Sequence, residues 1–292
     1  MPDAAGIPVH SWVARLRARL GGAAGPVRPV FLVGCGRSGT TILGTVLGRH
    51  PRITYLNEPR HLWTKAYPQT DIWSGDAGVR GGRMHLTAAD ATPAQTHALR
   101  AAFAREVRRS GRPQLVEKLP INAFRLAFID AAFPDARYLV LLRNGIEVAR
   151  SIERECEREA WYGADDYKWH QLAAYADARP DTRGLPARCR TSYERGLLEW
   201  RLSVDAALAF TASLPPARHL QVTYEALLAD PVTTIATIER FIGVPEDPGV
   251  HAFALGEIGR RPPPRNSRVP SSTASATRSD GMRPADIAGD VA

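Results

Sequence analysis

The sequence has little cysteine and contains no paired cysteine motif. Cys35, Cys156 and Cys189 are its three cysteines in 292 residues, and no two of them form a C-x-x-C pair. Disulfide frameworks and structural zinc sites need more cysteines at closer spacing. The composition therefore excludes a disulfide-rich secreted domain and predicts a reducing, cytoplasmic location.

Long hydrophobic runs are also missing from the first 28 residues, so neither a signal peptide nor a membrane span is expected there. Residues 12–20 instead have the spacing of a short basic amphipathic helix. Two interpretations stay open for it. Either the helix packs on the domain through Trp12, Leu16 and Leu20, or it makes a peripheral contact with a membrane surface. We treat residues 1–28 as an N-terminal extension.

Length and charge point to one α/β domain with an anionic partner. At 292 residues, 44% of them hydrophobic, the chain can bury a full core. The net charge of +8 favours a nucleotide, a nucleic acid or a membrane surface. No nucleic-acid-binding motif is recognisable, so no nucleic-acid partner is expected. Residues 29–260 are predicted to form the domain. Residues 261–292, rich in Pro, Ser, Thr and Arg, are predicted to form a flexible tail.

An apolar run followed by a glycine-rich turn and a helix lies near the start of this domain. Phe31 to Val33 predict a short buried strand, and Gly34 and Gly39 relax the backbone where it bends. Thr40 to Arg49 then have the one-sided apolar spacing of a packed helix. Backbone N–H groups in such a turn converge on an anion. The stretch therefore predicts a phosphate-like ligand.

The lysine of a nucleotide-binding P-loop is absent from this turn. The spacing approaches G-x-x-x-x-G-K-[ST], but the lysine position holds Thr40. That lysine normally reaches the β- and γ-phosphates of ATP or GTP. The turn offers a guanidinium and three hydroxyls instead, from Arg37, Ser38, Thr40 and Thr41. It suits a terminal anion bound without a lysine.

The run R-S-G-T-T after an apolar strand resembles the 5′-phosphosulfate loop of the sulfotransferases that use 3′-phosphoadenosine 5′-phosphosulfate (PAPS). The resemblance extends in order over residues 29–245. The predicted fold is an α/β, P-loop-like three-layer sandwich around a mainly parallel sheet of four or five strands. The resemblance implies that the loop binds the donor through Arg37, Ser38, Gly39, Thr40 and Thr41.

Two more predicted strands end in charged residues. Glu58 follows the strand Ile53 to Leu56, and Lys118 follows Leu115 to Glu117. Ligand chemistry gathers at the carboxyl ends of strands in open α/β sheets, although each charge would also fit an ordinary surface position. The resemblance implies more. Glu58 stands at the offset from the loop at which tyrosylprotein sulfotransferases have their general base, and the family often places a K-x-P lysine near the transferred group. His61 is the next candidate base.

Arg143 follows the clearest predicted strand, where an ATPase would typically have a carboxylate for Mg²⁺. A guanidinium there and the hydroxyl of Ser151 on the next helix can grip one phosphate from two sides. The segment resembles the family's 3′-phosphate site, with R-N-G in place of the common R-D-P. Tyr224 opens a weaker match at the last predicted strand. It either approaches the adenine or ribose or is a buried aromatic.

The resemblance thus predicts an enzyme that moves a sulfuryl group from PAPS to a hydroxyl of an acceptor. Glu58 would be the general base, and Lys118 would stabilise charge in the transition state; no metal is expected. Two alternatives stay open, a P-loop-type nucleotide-dependent phosphotransferase and a non-catalytic module that binds polyanions.

Aromatic residues in two stretches without clear periodicity, 61–97 and 161–190, are candidates for the acceptor site. Such loops shape a substrate site or cover the core. They are compatible with a glycan, a lipid, a metabolite or a peptide, and the sequence does not choose among them. The aromatics in question are Trp63, Tyr67, Trp73, Trp161, Tyr162, Tyr167, Trp169 and Tyr175.

Overall fold

The computed structural model describes residues 27–158, 161–163 and 165–258. The predicted N-terminal helix over 12–20 and the predicted tail over 261–292 lie outside these residues. No helix in the described ranges is long and apolar enough to cross a membrane.

Five strands form one parallel sheet in the order β2-β3-β1-β4-β5. The predicted α/β fold with a mainly parallel sheet of four or five strands is therefore confirmed. Because all strands run the same way, their carboxyl ends lie along one edge, which is where the candidate site forms. The strands are β1 (Val30–Val33), β2 (Ile53–Asn57), β3 (Gln114–Lys118), β4 (Arg137–Leu142) and β5 (His219–Thr223).

Helices cover both faces of this sheet. Strand β1 is fully buried, with Phe31 and Val33 in one hydrophobic cluster and Val30 and Leu32 in another. This alternation follows from the two-residue period of a strand, and burial on both faces explains the unbroken apolar run. The cluster of Val30 and Leu32 includes residues of α1 (Thr40–Leu47), α9 (Tyr224–Ala229), α10 (Pro231–Ile242) and α11 (Pro248–Glu257). The cluster of Phe31 includes residues of α2 (Arg60–Ala66), α3 (Pro93–Ser110), α4 (Leu126–Ala132), α5 (Gly145–Arg158), α6 (Tyr167–Asp177), α7 (Leu185–Arg188) and α8 (Ser192–Thr211).

The prediction of an irregular stretch up to Arg190 was wrong where α6 and α7 form. Trp169, Leu172 and Ala176 recur at helical spacing in α6, and all three are buried. The aromatic residues and the neighbouring Gly, Pro and Asp residues obscured this period. A short helix, α2, also overlaps the first stretch and begins at Arg60, two residues after Glu58.

Candidate active site

The glycine-rich turn between β1 and α1 is tightly enclosed by its neighbours. Gly34 has φ +152°, and a Cβ there would collide with the carbonyl oxygen of Leu141. Gly39 has φ +98°, and a Cβ there would lie 2.5 Å from the Tyr224 ring. Both positions favour glycine by conformation and by space. The turn therefore has backbone without side chains next to the start of α1. Backbone N–H groups in this arrangement bind anions.

The hydroxyl of Ser38 is a polar group of this turn that can bind a ligand. Ser38 is buried, and its oxygen has no hydrogen-bond partner among the described residues. A buried polar atom without a partner costs free energy, so such atoms usually have one. Thr40 is buried beside it, and Thr41 is the second residue of α1. These hydroxyl groups are donors that can bind an anion at the turn.

Arg37 joins the turn to the second predicted anion motif. Its φ of +72° is unusual for a residue with a side chain, a strain that often marks functional sites. Its Nε donates to the Ser151 hydroxyl at 3.2 Å, and its guanidinium pairs with Glu155 at 3.0 Å. Arg143 donates to the carbonyl oxygen of Arg37 at 3.0 Å. The structure therefore brings Arg37, Arg143 and Ser151 together.

The R-N-G departure does not disturb the start of α5. The Asn144 side-chain oxygen accepts from the backbone N–H groups of Ile146 at 3.1 Å and Glu147 at 3.3 Å. Gly145 leaves room for Trp200, whose indole N–H donates to the carbonyl oxygen of Arg143 at 2.9 Å. The Trp200 indole therefore holds the backbone of Arg143 in place.

Tyr224 lies beneath the turn. Its ring packs against Gly39, and the guanidinium of Arg143 is 4.5 Å from the ring centroid. Only 6% of Tyr224 is exposed. Its contacts thus support the turn and Arg143.

Glu58 and Lys118 contact each other next to Thr41, near the start of α1. The ammonium of Lys118 donates to Glu58 Oε1 at 2.8 Å and to the Thr41 hydroxyl at 3.0 Å. The backbone N–H of Glu58 donates to the carbonyl oxygen of Lys118 at 2.7 Å, which holds the two strand ends together. Glu58 has φ +46°, a second strained position at the site. Lys118 is 1% exposed, so its charge depends on these partners.

Sequence reasoning missed Arg60, which contacts the other carboxylate oxygen of Glu58 at 2.8 Å. Its guanidinium also lies 4.2 Å from the centre of the Trp73 ring. The signal was present in the sequence, because a cation two residues after a candidate base is able to reach it. His61, the fallback base, is exposed and does not line the cavity beside Glu58.

Two opposing effects act on the pKa of Glu58. Burial raises it, but hydrogen bonds and charge from Lys118, with those from Arg60, outweigh burial and hold the pKa below its usual range. The carboxylate therefore stays ionised at neutral pH.

A cavity of about 280 Å³ opens between Glu58 and the turn. Gly36, Arg37, Thr40 and Thr41 line its turn side, and Glu58 and Arg60 line the side of β2 and α2. Two of the eight aromatics proposed for an acceptor site, Trp73 and Trp161, line it, and Phe124 adds a third ring. Trp63 and Tyr67 are fully buried in the core instead. The cavity has room for a small ring or a side chain, with the Glu58 carboxylate beside it.

The far wall of this cavity contains a buried ion pair that sequence reasoning did not find. Lys168 of α6 contacts Glu199 of α8 at 2.6 Å, and the two residues are 9% and 3% exposed. The indole N–H of Trp161 donates to the second oxygen of Glu199 at 2.9 Å. Pairing across two helices leaves no local pattern in the sequence, so no signal was available.

A second buried carboxyl lies next to the site without touching the cavity. Glu117 of β3 accepts from the indole N–H of Trp63 at 2.8 Å and from the side chain of Asn122 at 3.2 and 3.3 Å. Burial raises the pKa of Glu117 to about 8, although both hydrogen bonds oppose the shift. Within the described ranges, no group of three or more His, Cys, Asp or Glu residues is placed to hold a metal ion.

Comparison with known proteins relates this chain to one family. A family model described as "Sulfotransferase family" matches residues 29–248. The chain is 25% identical over 238 residues to protein-tyrosine sulfotransferase 1 of Danio rerio, covering 79% of this chain and 58% of that protein. It is 24% identical over 220 residues to protein-tyrosine sulfotransferase 2 of Gallus gallus, covering 74% of this chain and 51% of that protein. The chain thus spans somewhat more than half the length of these curated relatives.

Solved structures agree on the fold. The sulfotransferase domain from the curacin biosynthetic pathway superposes with a TM-score of 0.52 at 19% identity, covering 77% of this chain and 76% of that one. At this identity the likeness concerns the fold alone.

Proposed function

Since this chain belongs to the sulfotransferase family, as the loop motif predicted, we propose that it moves a sulfuryl group from PAPS to a hydroxyl of an acceptor. One observation carries the proposal. The Lys118 ammonium lies within hydrogen-bond distance of both Thr41 of the anion-binding turn and Glu58 at the cavity. A cation is thereby placed between a donor site and a base, which is what group transfer between them needs.

The donor supplies an activated sulfuryl group bonded to a phosphate. Arg37, Ser38, Gly39, Thr40 and Thr41 would hold its phosphosulfate end, and the partnerless hydroxyl of Ser38 supports this assignment. Arg143 and Ser151 would hold the 3′-phosphate. Tyr224 would contribute by supporting Arg143 from below the turn.

Glu58 would accept the proton of the acceptor hydroxyl as its oxygen attacks sulfur. Its lowered pKa keeps it ionised before that step. Lys118 would then stabilise the charge that develops on the sulfuryl and bridging oxygens, while Arg60 keeps the carboxylate oriented. None of these roles requires a metal ion.

The acceptor is proposed as a hydroxyl-bearing molecule, with a tyrosine-containing peptide as the first to test. The names of the curated relatives motivate this choice, and an aromatic-lined cavity suits a phenol ring. Glycans, lipids and hydroxylated metabolites belong in the same screen.

A calorimetric titration with 3′-phosphoadenosine 5′-phosphate, beside ATP and AMP in EDTA, tests the proposal. We expect selective, metal-independent binding of the 3′-phosphorylated nucleotide. Arg143→Ala should weaken it about tenfold to a hundredfold, because a charged hydrogen bond to phosphate contributes about 1.5–3 kcal/mol. Arg150→Ala is the matched control, since Arg150 is an exposed arginine of α5 that contacts Glu147.

The same titration separates the alternatives. Equal binding of AMP and the 3′-phosphorylated nucleotide would contradict a PAPS site. Tight binding of ATP only with Mg²⁺ would favour a phosphotransferase, and binding of any polyanion with steep salt dependence would favour a non-catalytic module.

A further inference from the structure

Trp161 lies on the boundary between the anion-binding turn and the cavity. Two atoms of its ring lie 2.9 and 3.0 Å from where a Cβ on Gly36 would be, so only glycine lets the indole pack against the backbone there. The same ring lines the cavity together with Glu58 on the opposite side. Trp161 is therefore a wall shared by the donor turn and the acceptor space.

Two charged residues, Glu199 and Lys168, hold the Trp161 side chain in place. Glu199 accepts from the Trp161 indole N–H at 2.9 Å, and the Lys168 ammonium lies 4.2 Å from the ring centroid. The ion pair between Lys168 and Glu199 is almost fully buried. A buried pair seldom adds net stability, so its value here is the fixed position that it gives to the indole. That position matters because Trp161 belongs to the segment that connects α5 to α6, outside both helices.

Glu58 cannot by itself distinguish an acceptor hydroxyl from water, because it removes a proton from either. If water attacks, its oxygen bonds to sulfur and the bond from sulfur to the bridging oxygen breaks. Sulfate and 3′-phosphoadenosine 5′-phosphate then leave, and the proton passes through Glu58 to solvent. Selectivity for the acceptor must therefore come from keeping water away from the turn.

We propose that Trp161, held by Glu199 and Lys168, is the specificity-determining residue that excludes water from the sulfuryl group. This inference rests on the proposed PAPS-dependent function. Among the described residues, Trp161 covers the turn at Gly36 and so closes one side of the cavity, while Glu58 lines the opposite side. A bound acceptor fills the Glu58 side of the cavity, while the indole keeps water from reaching the turn on the other side.

Hydrolysis of radiolabelled PAPS without any acceptor tests this inference on the full-length protein. Trp161→Ala should release sulfate about tenfold faster than the wild type, because a cavity large enough for water replaces the indole. Trp161→Phe keeps a ring but loses the N–H donor to Glu199, and we expect a smaller increase. Trp169→Phe is the matched control, because Trp169 contacts Arg195 and Tyr162 and does not line the cavity. It should hydrolyse PAPS at the wild-type rate.

A second readout is independent of turnover. In protein labelled with 5-fluorotryptophan, the fluorine signal that disappears in Trp161→Phe belongs to Trp161, one of six tryptophans. Saturation with 3′-phosphoadenosine 5′-phosphate should shift this signal and leave that of Trp169 in place. Calorimetry on each variant should give a dissociation constant close to that of the wild type.

The outcomes are distinguishable. Unchanged hydrolysis in both Trp161 variants, or an unshifted Trp161 signal, would overturn the role of Trp161 while nucleotide binding still supports the proposed function. If the wild type does not bind the 3′-phosphorylated nucleotide, both the proposed function and this inference fall.

Discussion

The Glu58 carboxylate is held between two cations, and its replacement tests its proposed role as the base separately from nucleotide binding. Glu58→Gln keeps the size of the side chain and one acceptor oxygen, so it retains the contact with either Lys118 or Arg60 but loses the other, and it cannot accept a proton. We expect turnover with an acceptor from the screen to fall about 10²–10⁴-fold, the usual contribution of a positioned base. Affinity for 3′-phosphoadenosine 5′-phosphate, measured by calorimetry, should change less than about twofold.

His61→Ala is the control for this variant, because His61 is exposed in α2 and does not line the cavity. It should leave turnover near the wild-type level. If His61→Ala were the more damaging change, the assignment of the base to Glu58 would be wrong.

The buried carboxyl of Glu117 makes the free energy of unfolding depend on pH, because it binds a proton more tightly in the folded protein than in the unfolded chain. Its folded-state pKa of about 8 lies above the usual 4.5 of an exposed glutamate. The folded protein therefore binds a proton that the unfolded chain releases, and this stabilisation is complete below about pH 4.5 and is lost as pH rises through about 8. The total loss is about 5 kcal/mol, from 1.36 kcal/mol for each unit of pKa.

Glu117→Gln should flatten this fall in the free energy of unfolding, followed by urea denaturation from pH 5 to pH 9. Glutamine retains an oxygen that can accept from Trp63. Glu106→Gln changes a glutamate that pairs with Arg109 at the surface, and it should leave the pH dependence as in the wild type. Parallel profiles for wild type and Glu117→Gln would show that the buried carboxyl is not the source.

Helix α1 packs against β2 at a glycine, Gly44. A Cβ on Gly44 would collide with the Tyr55 ring and hydroxyl. The helix can therefore pack this close to the sheet only because position 44 has no side chain. Gly44→Ala should destabilise the protein by about 1–3 kcal/mol, although alanine is ordinarily the better helix former. Chemical denaturation at constant pH measures the change.

Two further variants test this packing argument. In α11, a Cβ on Gly256 meets no atom within 4 Å, so Gly256→Ala should be neutral or slightly stabilising. Tyr55→Val should offset part of the damage in the double variant with Gly44→Ala, giving a coupling above about 0.5 kcal/mol. Additive effects would mean that Tyr55 is not the obstacle.

Strand ends were predictable from sequence because their signals are local. An apolar run followed by a glycine turn, or by Glu58, Lys118 or Arg143, places a side chain at one edge as soon as the sheet is parallel. The pair Lys168–Glu199 was not predictable, since its members are 31 residues apart on different helices. Trp161 was identified as an aromatic candidate, but its contact with Gly36 depends on tertiary packing. Helix α6 was missed because its buried face is short and mixed with polar residues.

A ligand that binds only the folded state should raise the melting temperature of the whole protein. At one hundred times its dissociation constant, 3′-phosphoadenosine 5′-phosphate should stabilise the protein by about 2.7 kcal/mol. For a domain of this size the shift is about 5–10 °C. Differential scanning fluorimetry should detect it in EDTA, with AMP at the same concentration giving a smaller shift. Equal shifts would contradict recognition of the 3′-phosphate.

The central place of β1 has a consequence for how the protein is made. Its neighbours in the sheet come from residues 114–118 and 137–142, far along the chain. At about 5–20 residues per second, the ribosome takes roughly 5 to 20 s to supply both after β1 has been synthesised. During that time four consecutive apolar residues, Val30–Val33, have no strand to pair with. The strand that is best shielded in the folded protein is thus exposed for a long interval during translation, when chaperones or aggregation compete for it.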